Sequence, residues 1–158
     1  MPVEIERKFL LANDGWRNEV VRHCAMRQGY LGAPGGKASI RVRLEGDRAR
    51  LNIKSSVVGD TRDEYEYEIP VSEATEMLDN LCIGRVEKVR HYIERDGLTW
   101  EIDEFQGDNE GLVVAEVELS HAEQSVPSPP WLGREITTEA RYYNHSLAIK
   151  PYRSWHAH

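Results

Sequence analysis

The sequence predicts a mainly β, α+β domain: about eight antiparallel strands curled into a closed barrel, a tunnel, with helices packed on the outside. Three observations lead there. Alternation of period two recurs in short segments separated by turn residues. Nearly every such segment carries one ionic face, and those faces are sorted by sign. Only two stretches have helical spacing.

The strands are expected at residues 3–11, 25–31, 38–45, 48–54, 62–70, 85–95, 98–105 and 111–119. Glu45-Gly46-Asp47 and Asp96-Gly97 supply tight hairpin connections, so the strands on either side of each pair as antiparallel neighbours. After Pro70-Val71, Ser72 is placed to cap a helix in which Ala74, Met77, Leu78 and Leu81 form one apolar face. A second short helix is expected around Tyr142, Tyr143, Leu147 and Ile149, ended by Pro151. Val126-Pro127-Ser128-Pro129-Pro130 is a stiff connector too short to separate domains, so residues 1–158 read as a single domain.

Composition narrows the function. The 158 residues hold 20 Lys and Arg against 27 Asp and Glu, a net charge of −7. That balance excludes a protein that coats nucleic acid, which needs surplus cations to release counterions. No apolar run approaches a membrane span, so no membrane partner is expected. Cys24 and Cys82 form no CxxC, and the histidines form no HExxH. Two reduced thiols in a cytoplasmic protein are the simplest reading. Zinc chemistry is not expected.

The charged faces carry the chemistry. Glu4, Glu6 and Lys8 share a face of the first strand, and Arg41 and Arg43 share one face of the third, opposite Ile40, Val42 and Leu44. Lys54 ends the fourth strand, followed by Glu64 and Glu66, with Glu68, in the fifth. Lys88 with Arg90, Glu101 with Asp103, and Glu116 with Glu118 complete the set. A solvated face would mix signs, because like charges about 7 Å apart along a strand repel. Segregation makes sense if each strand faces a group of the opposite sign. Mg²⁺ binds one or two carboxylates and is completed by phosphate oxygens, while Arg and Lys bind phosphate. A metal–polyphosphate complex meets both demands, provided the ionic faces line the inside of a barrel.

Glu4-Ile5-Glu6-Arg7-Lys8-Phe9-Leu10 is an ExExK motif, and with it the chain resembles the CYTH superfamily, the triphosphate tunnel metalloenzymes. The resemblance runs nearly end to end. It takes in Gln28-Gly29-Tyr30-Leu31, Arg41-Val42-Arg43, the Lys54 strand, Arg62-Asp63-Glu64-Tyr65-Glu66, Lys88-Val89-Arg90, Trp100-Glu101-Ile102-Asp103, Glu116-Val117-Glu118 and Tyr142-Tyr143-Asn144.

The resemblance implies an eight-stranded tunnel binding a triphosphate with Mg²⁺ or Mn²⁺. It assigns phosphate binding to Lys8, Arg41, Arg43, Lys54, Lys88 and Arg90. It assigns metal binding to Glu4, Glu6, Glu116 and Glu118, with Glu64, Glu66 and Asp103 as ligands, water contacts or orienting groups. Glu68 and Glu101 depend on register. Lys8, Lys54, Lys88 and Tyr30 are the catalytic candidates; Tyr30 matches a tyrosine with a helper role in relatives and reads equally well as a strand-packing aromatic. A Glu or a Lys could serve as general base. No Cys, Ser or His is expected amid the tunnel charges, so no covalent nucleophile is proposed. Tyr143 and Lys150 either close one tunnel mouth or belong to a packed terminal helix.

The implied activity is metal-dependent hydrolysis of a triphosphate, foremost inorganic tripolyphosphate to diphosphate and phosphate. An adenylyl cyclase, a thiamine triphosphatase, a nucleoside triphosphatase or a non-catalytic polyphosphate-binding module are the alternatives. The expected partner is the small-molecule triphosphate, and the resemblance allows a homodimer.

Overall fold

The computed structural model describes residues 3–32 and 36–156. Its strands are β1 (Val3–Leu11), β2 (Arg22–Leu31), β3 (Ala38–Glu45), β4 (Arg48–Ser55), β5 (Thr61–Ile69), β6 (Gly84–Arg95), β7 (Leu98–Phe105), β8 (Val113–Glu118) and β9 (Leu132–Glu135). Helix α1 (Val71–Asn80) follows β5 and α2 (Asn144–Ile149) lies near the C-terminus. The pairing order is β5-β4-β3-β2-β6-β7-β8-β1-β9, and β5 also pairs with β1, closing the first eight strands into an antiparallel barrel.

Closure depends on how β1 divides its two edges. One edge runs along β8 from Glu6 to Leu10. The other meets β5 through Val3, Glu4 and Ile5, then β9 near Phe9 and Leu11. Between these partners the Lys8 N–H donates to Thr137 Oγ1 (3.0 Å) and the Lys8 carbonyl accepts from the Ile136 N–H (2.8 Å), so the backbone of the strand stays satisfied.

The hairpins form where the turn residues place them. Asp96 and Gly97 both adopt left-handed φ (54° and 75°), the geometry of a two-residue turn that matches strand twist. Three details differ from the sequence expectation. β2 begins at Arg22, extending a strand expected from 25, and pairs with β6 over its full added length. Pro70, not Ser72, occupies the N-cap of α1 and supplies no side-chain cap. β9 was not expected, since four residues with a glycine show too little alternation to register.

The apolar residues form three clusters. Phe9, Trp16, Trp100, Ile102, Val117 and Trp131 pack outside β1, β7 and β8 beneath the 14–19 turn and the segment leading to β9. Val42, Ala49, Ala74 and Leu78 pack between β3, β4 and α1. The third cluster corrects the picture of a wholly polar lumen: Val86, Phe105 and Val114 share the inward parity of Lys88, Asp103 and Glu116, yet they pack on Ile136, Tyr142 and Leu147 of the C-terminal segment. One end of the barrel interior is therefore an apolar plug. Gly84 permits it, because a Cβ there would lie 2.4 Å from the carbonyl oxygen of Ala148 in α2.

Candidate active site

The inward faces of the strands enclose a cavity of about 610 Å³. Register decides which residues reach it. Tyr30 stands opposite Arg41, Arg43 opposite Arg50, Lys54 opposite Glu64, and Lys8 opposite Glu116, each pair on one face. The cavity is lined by Glu4, Glu6, Lys8, Tyr30, Arg41, Arg43, Lys54, Glu64, Glu66, Lys88, Arg90, Glu116 and Glu118, every residue assigned phosphate binding, metal binding or catalysis except Asp103, while Lys150 lies outside it. Glu101 also lines it, whereas Glu68 is exposed and sits 3.9 Å from Arg48.

The basic residues fall into two states. Lys88 Nζ donates to Asp103 (2.7 Å) and to Asn144 Oδ1 (2.8 Å), while Arg90 forks onto both oxygens of Asp103 at 2.8 and 2.9 Å. Asp103 is fully buried with both oxygens engaged, so its place is behind the bases, not in the cavity. Burial opposes its charge, but Arg90 and Lys88 outweigh that and hold the carboxyl well below the usual carboxylate range. Burial in turn pushes the Lys88 ammonium down to about 7, with Asp103 pulling the other way and Arg90 and Arg43 reinforcing the shift.

Arg41 and Arg43 are the other state. Both are buried, and Arg43 gives its Nε–H to the neutral Gln28 side chain (2.9 Å). Arg41 Nε is buried without a hydrogen-bond partner among the described residues. Burial, then Arg41 and Arg90, push the Arg43 guanidinium down to about 10. Among the described residues these two cations form no ion pair, with Asp103 acting on Arg43 only from a distance, a state that an anion relieves.

On the opposite wall, Lys8 Nζ bonds Glu116 (2.5 Å) and lies 3.3 Å from Glu6. Burial works against its charge, yet Glu116 and Glu6 hold the ammonium well above its ordinary range. Lys54 Nζ is held by Glu4 (3.1 and 3.2 Å) and Glu64 (3.5 Å). Glu66 accepts from Asn52 Nδ2 at 2.7 Å. Glu118 pairs with no cation among the described residues. Burial raises its carboxyl, and Glu4, Glu101, Glu6 and Glu64 raise it further by repulsion. Glu6 and Glu118 stand directly opposite each other across β1 and β8. An unpaired Glu118 among Glu4, Glu6 and Glu64, which share two lysines, leaves an excess of negative charge that a divalent cation would offset. No three His, Cys, Asp or Glu among the described residues are grouped to hold a metal ion by themselves; a hard cation there would need water and phosphate oxygens to complete it.

Tyr30 is buried with its hydroxyl accepting from Gln28 Nε2 (3.0 Å). Burial raises the phenol against the pull of Arg41 and Arg43, so it remains a proton donor facing the cavity.

Sequence reading missed several lining residues. Arg62 is buried, donates to the Gly59 carbonyl (3.2 Å) and leaves its Nε unpartnered among the described residues. Its parity with Glu64 and Glu66 was the available signal. Cys24, Ser39 and His145 also line the cavity, against the expectation that no Cys, Ser or His would. Cys24 shares the parity of Gln28 and Tyr30, and Ser39 that of Arg41. Burial raises the Cys24 thiol, away from the nucleophilic thiolate. Tyr143 belongs to the site wall, its hydroxyl bonded to the Thr137 carbonyl (2.5 Å) and its ring 5.8 Å from Lys8 Nζ.

Comparison with known proteins agrees with this geometry. The family model described as CYTH domain matches residues 2–152. The chain is similar to an inorganic triphosphatase of Acetivibrio thermocellus, 44% identical over 156 residues that span 98% of this chain and 99% of that protein. An inorganic triphosphatase of Nitrosomonas europaea is 40% identical over 152 residues, 92% of this chain and 97% of that one. Among solved structures, a crystal structure of an inorganic triphosphatase superposes with a TM-score of 0.68 at 36% identity, covering 94% of this chain and 96% of the other.

Proposed function

The chain belongs to the CYTH domain family, and from that premise we propose that it hydrolyses inorganic tripolyphosphate to diphosphate and phosphate inside the tunnel, with Mg²⁺ or Mn²⁺ as cofactor. The observation that carries this reading is one cavity in which cations and a carboxylate both lack partners of opposite sign among the described residues. Arg41 and Arg43 form no ion pair there, and Glu118 has no cation beside it while Glu4, Glu101, Glu6 and Glu64 repel its charge. A metal-bound triphosphate supplies both. The curated relatives' name, inorganic triphosphatase, selects tripolyphosphate as the substrate.

In this reading Arg41, Arg43 and Arg62 grip phosphate oxygens, and Lys88 and Arg90, aimed by Asp103, hold the chain from β6. Lys8 stays charged beside Glu116 and neutralises negative charge that builds on the leaving diphosphate. Tyr30 donates a hydrogen bond to a phosphate oxygen. Glu4, Glu6, Glu116 and Glu118, with Glu64 and Glu66, would hold the cation, and Asp103 orients bases and is not a ligand. The cation supplies charge neutralisation and alignment of water with the terminal phosphorus. No helix among the described residues is long and apolar enough to cross a membrane. The free thiols Cys24 and Cys82 suit the reducing cytoplasm.

A side-by-side assay tests the proposal. Tripolyphosphate, ATP and thiamine triphosphate are each incubated with Mg²⁺ or Mn²⁺ and the products identified. Tripolyphosphate should turn over fastest. Cyclic nucleotide from ATP, or binding without turnover under either metal, would overturn it.

A further inference from the structure

Beside the tunnel lies a second cavity of about 500 Å³, bounded by the end of β2, the start of β3, residues 55–58 and α2. Its size is that of a small-molecule site. Its wall is mainly apolar, formed by Leu31, Ile40, Val57, Ile83 and Ile149 among others. Val57, Ile83 and Ile149 are each about half exposed, so the described residues leave this apolar surface uncovered. Only two side chains of fixed charge line it, Arg62 and Lys150, and both are cationic. In a chain of net charge −7, an apolar cavity lined by cations and free of carboxylates among the described residues is a selective environment.

Arg62 joins the two cavities. It lines both, it is only 7% exposed, and its Nε has no hydrogen-bond partner among the described residues. Tyr30, Tyr143 and His145 border both spaces as well, so one thin wall separates them. A buried guanidinium with free donor capacity recruits an anionic head group, and the apolar wall recruits a body attached to it.

The geometry points to this second cavity as a binding site for an amphipathic organic anion, with an aromatic or branched aliphatic body against Ile40, Val57 and Ile149 and its anionic head on Arg62, and to its occupancy excluding triphosphate from the tunnel. Exclusion follows because two anions brought to one guanidinium across a thin, poorly hydrated wall repel each other. Binding stands apart from the triphosphatase reading, whereas exclusion rests on it.

The test uses 1-anilinonaphthalene-8-sulfonate with the full chain in EDTA, followed by fluorescence. The expected result is one saturable site. Val57→Asn and Ile149→Asn, uncharged polar changes at half-exposed positions outside the tunnel, should each weaken probe binding by about tenfold, with circular dichroism and tripolyphosphate turnover unchanged. Tripolyphosphate should weaken the wild-type probe affinity by about tenfold. Wild-type probe binding in both variants would overturn the site. Tripolyphosphate that binds by calorimetry without moving the probe would overturn the exclusion. If calorimetry detects no tripolyphosphate binding either in EDTA or with Mg²⁺, the triphosphatase reading falls while the two rim variants still decide the site. A probe signal lost as light scattering shows the mass doubling would give the face to a second copy of the chain and contradict the proposal.

Discussion

Two basic pairs with the same spacing, Arg41-Val42-Arg43 on β3 and Lys88-Val89-Arg90 on β6, face the same lumen and are treated oppositely by the fold. The β6 pair has Asp103 behind it, taking three bonds from the two side chains. The β3 pair has a neutral glutamine and an unpartnered Nε. Bases that are paired internally are aimed and held, and contribute to the folded state. Bases left unpaired are costly in the free protein and are relieved by ligand. Each prediction below acts on one side of that contrast.

The largest effect is expected from Asp103→Ala. Removing the buried carboxylate bonded to both bases leaves Arg90 with the more distant Glu101 (3.3 Å) and Glu116 (3.7 Å) and Lys88 without its ion-pair bond, and breaking a buried ion pair in this way costs about 3–5 kcal/mol. Urea unfolding should show it, and tripolyphosphate should restore part of the loss. An unchanged midpoint would mean that the two bases are neutralised from elsewhere.

Arg41→Ala should do the reverse. Stability is kept or raised, because a repelled cation is removed, while tripolyphosphate binding in EDTA weakens by about 1.5–3 kcal/mol, a charge-assisted hydrogen bond's worth. Calorimetry and urea unfolding on one preparation separate the two readouts. A variant that loses stability but not affinity would place Arg41 with the structural pair.

A smaller effect is a proton. With Lys88 pushed down to about 7 in the free protein, a bound polyanion favours its ammonium form. The bound state then holds more protons than the free one above neutrality. Affinity should therefore fall as pH rises through about 7, and binding at pH 8 should take up to about one proton from the buffer. Calorimetry in two buffers of different ionisation enthalpy measures it. Release of protons would contradict the assignment.

The smallest shift concerns Glu118. Its carboxyl is raised by burial and by the neighbouring acids, so lowering the pH protonates it earlier than an ordinary glutamate and makes the cation compete with a proton. The Mg²⁺ concentration for half-maximal activity should rise modestly as pH falls toward 5. Glu118→Gln should abolish turnover, so its flattening of the pH dependence is read from Mg²⁺ binding by calorimetry.

The contrast also shows what period two reveals and what it hides. Alternation grouped Glu4 with Glu6, Arg41 with Arg43 and Glu116 with Glu118 because side chains two apart share a face of a strand, while register sets which face turns inward. It did not separate Asp103 from Glu101, since that difference lies in which cross-strand neighbour reaches over each carboxylate: Arg90 stands directly opposite Asp103. Nor did it show where the charged lumen stops. Leu10, Val86, Phe105 and Val114 continue the inward parity, and only the distant Tyr142 and Leu147 turn that stretch into core. Arg62 was legible from its parity with Glu64 and was passed over because the motif's weight fell on its acids. β9 was beyond reach, since its pairing exists only because β1 has half an edge to spare.

The central claim, that the unpaired Arg41 and Arg43 and the acids around Glu118 meet a metal-bound triphosphate which the protein then cleaves, is most directly tested by phosphorus-31 NMR of tripolyphosphate with the protein and Mg²⁺. The account predicts that the tripolyphosphate signals give way to diphosphate and phosphate in equal amounts, and that EDTA or Glu118→Gln stops the conversion. Tripolyphosphate left intact by the wild-type protein with Mg²⁺ or Mn²⁺, or consumed equally well in EDTA, would contradict it.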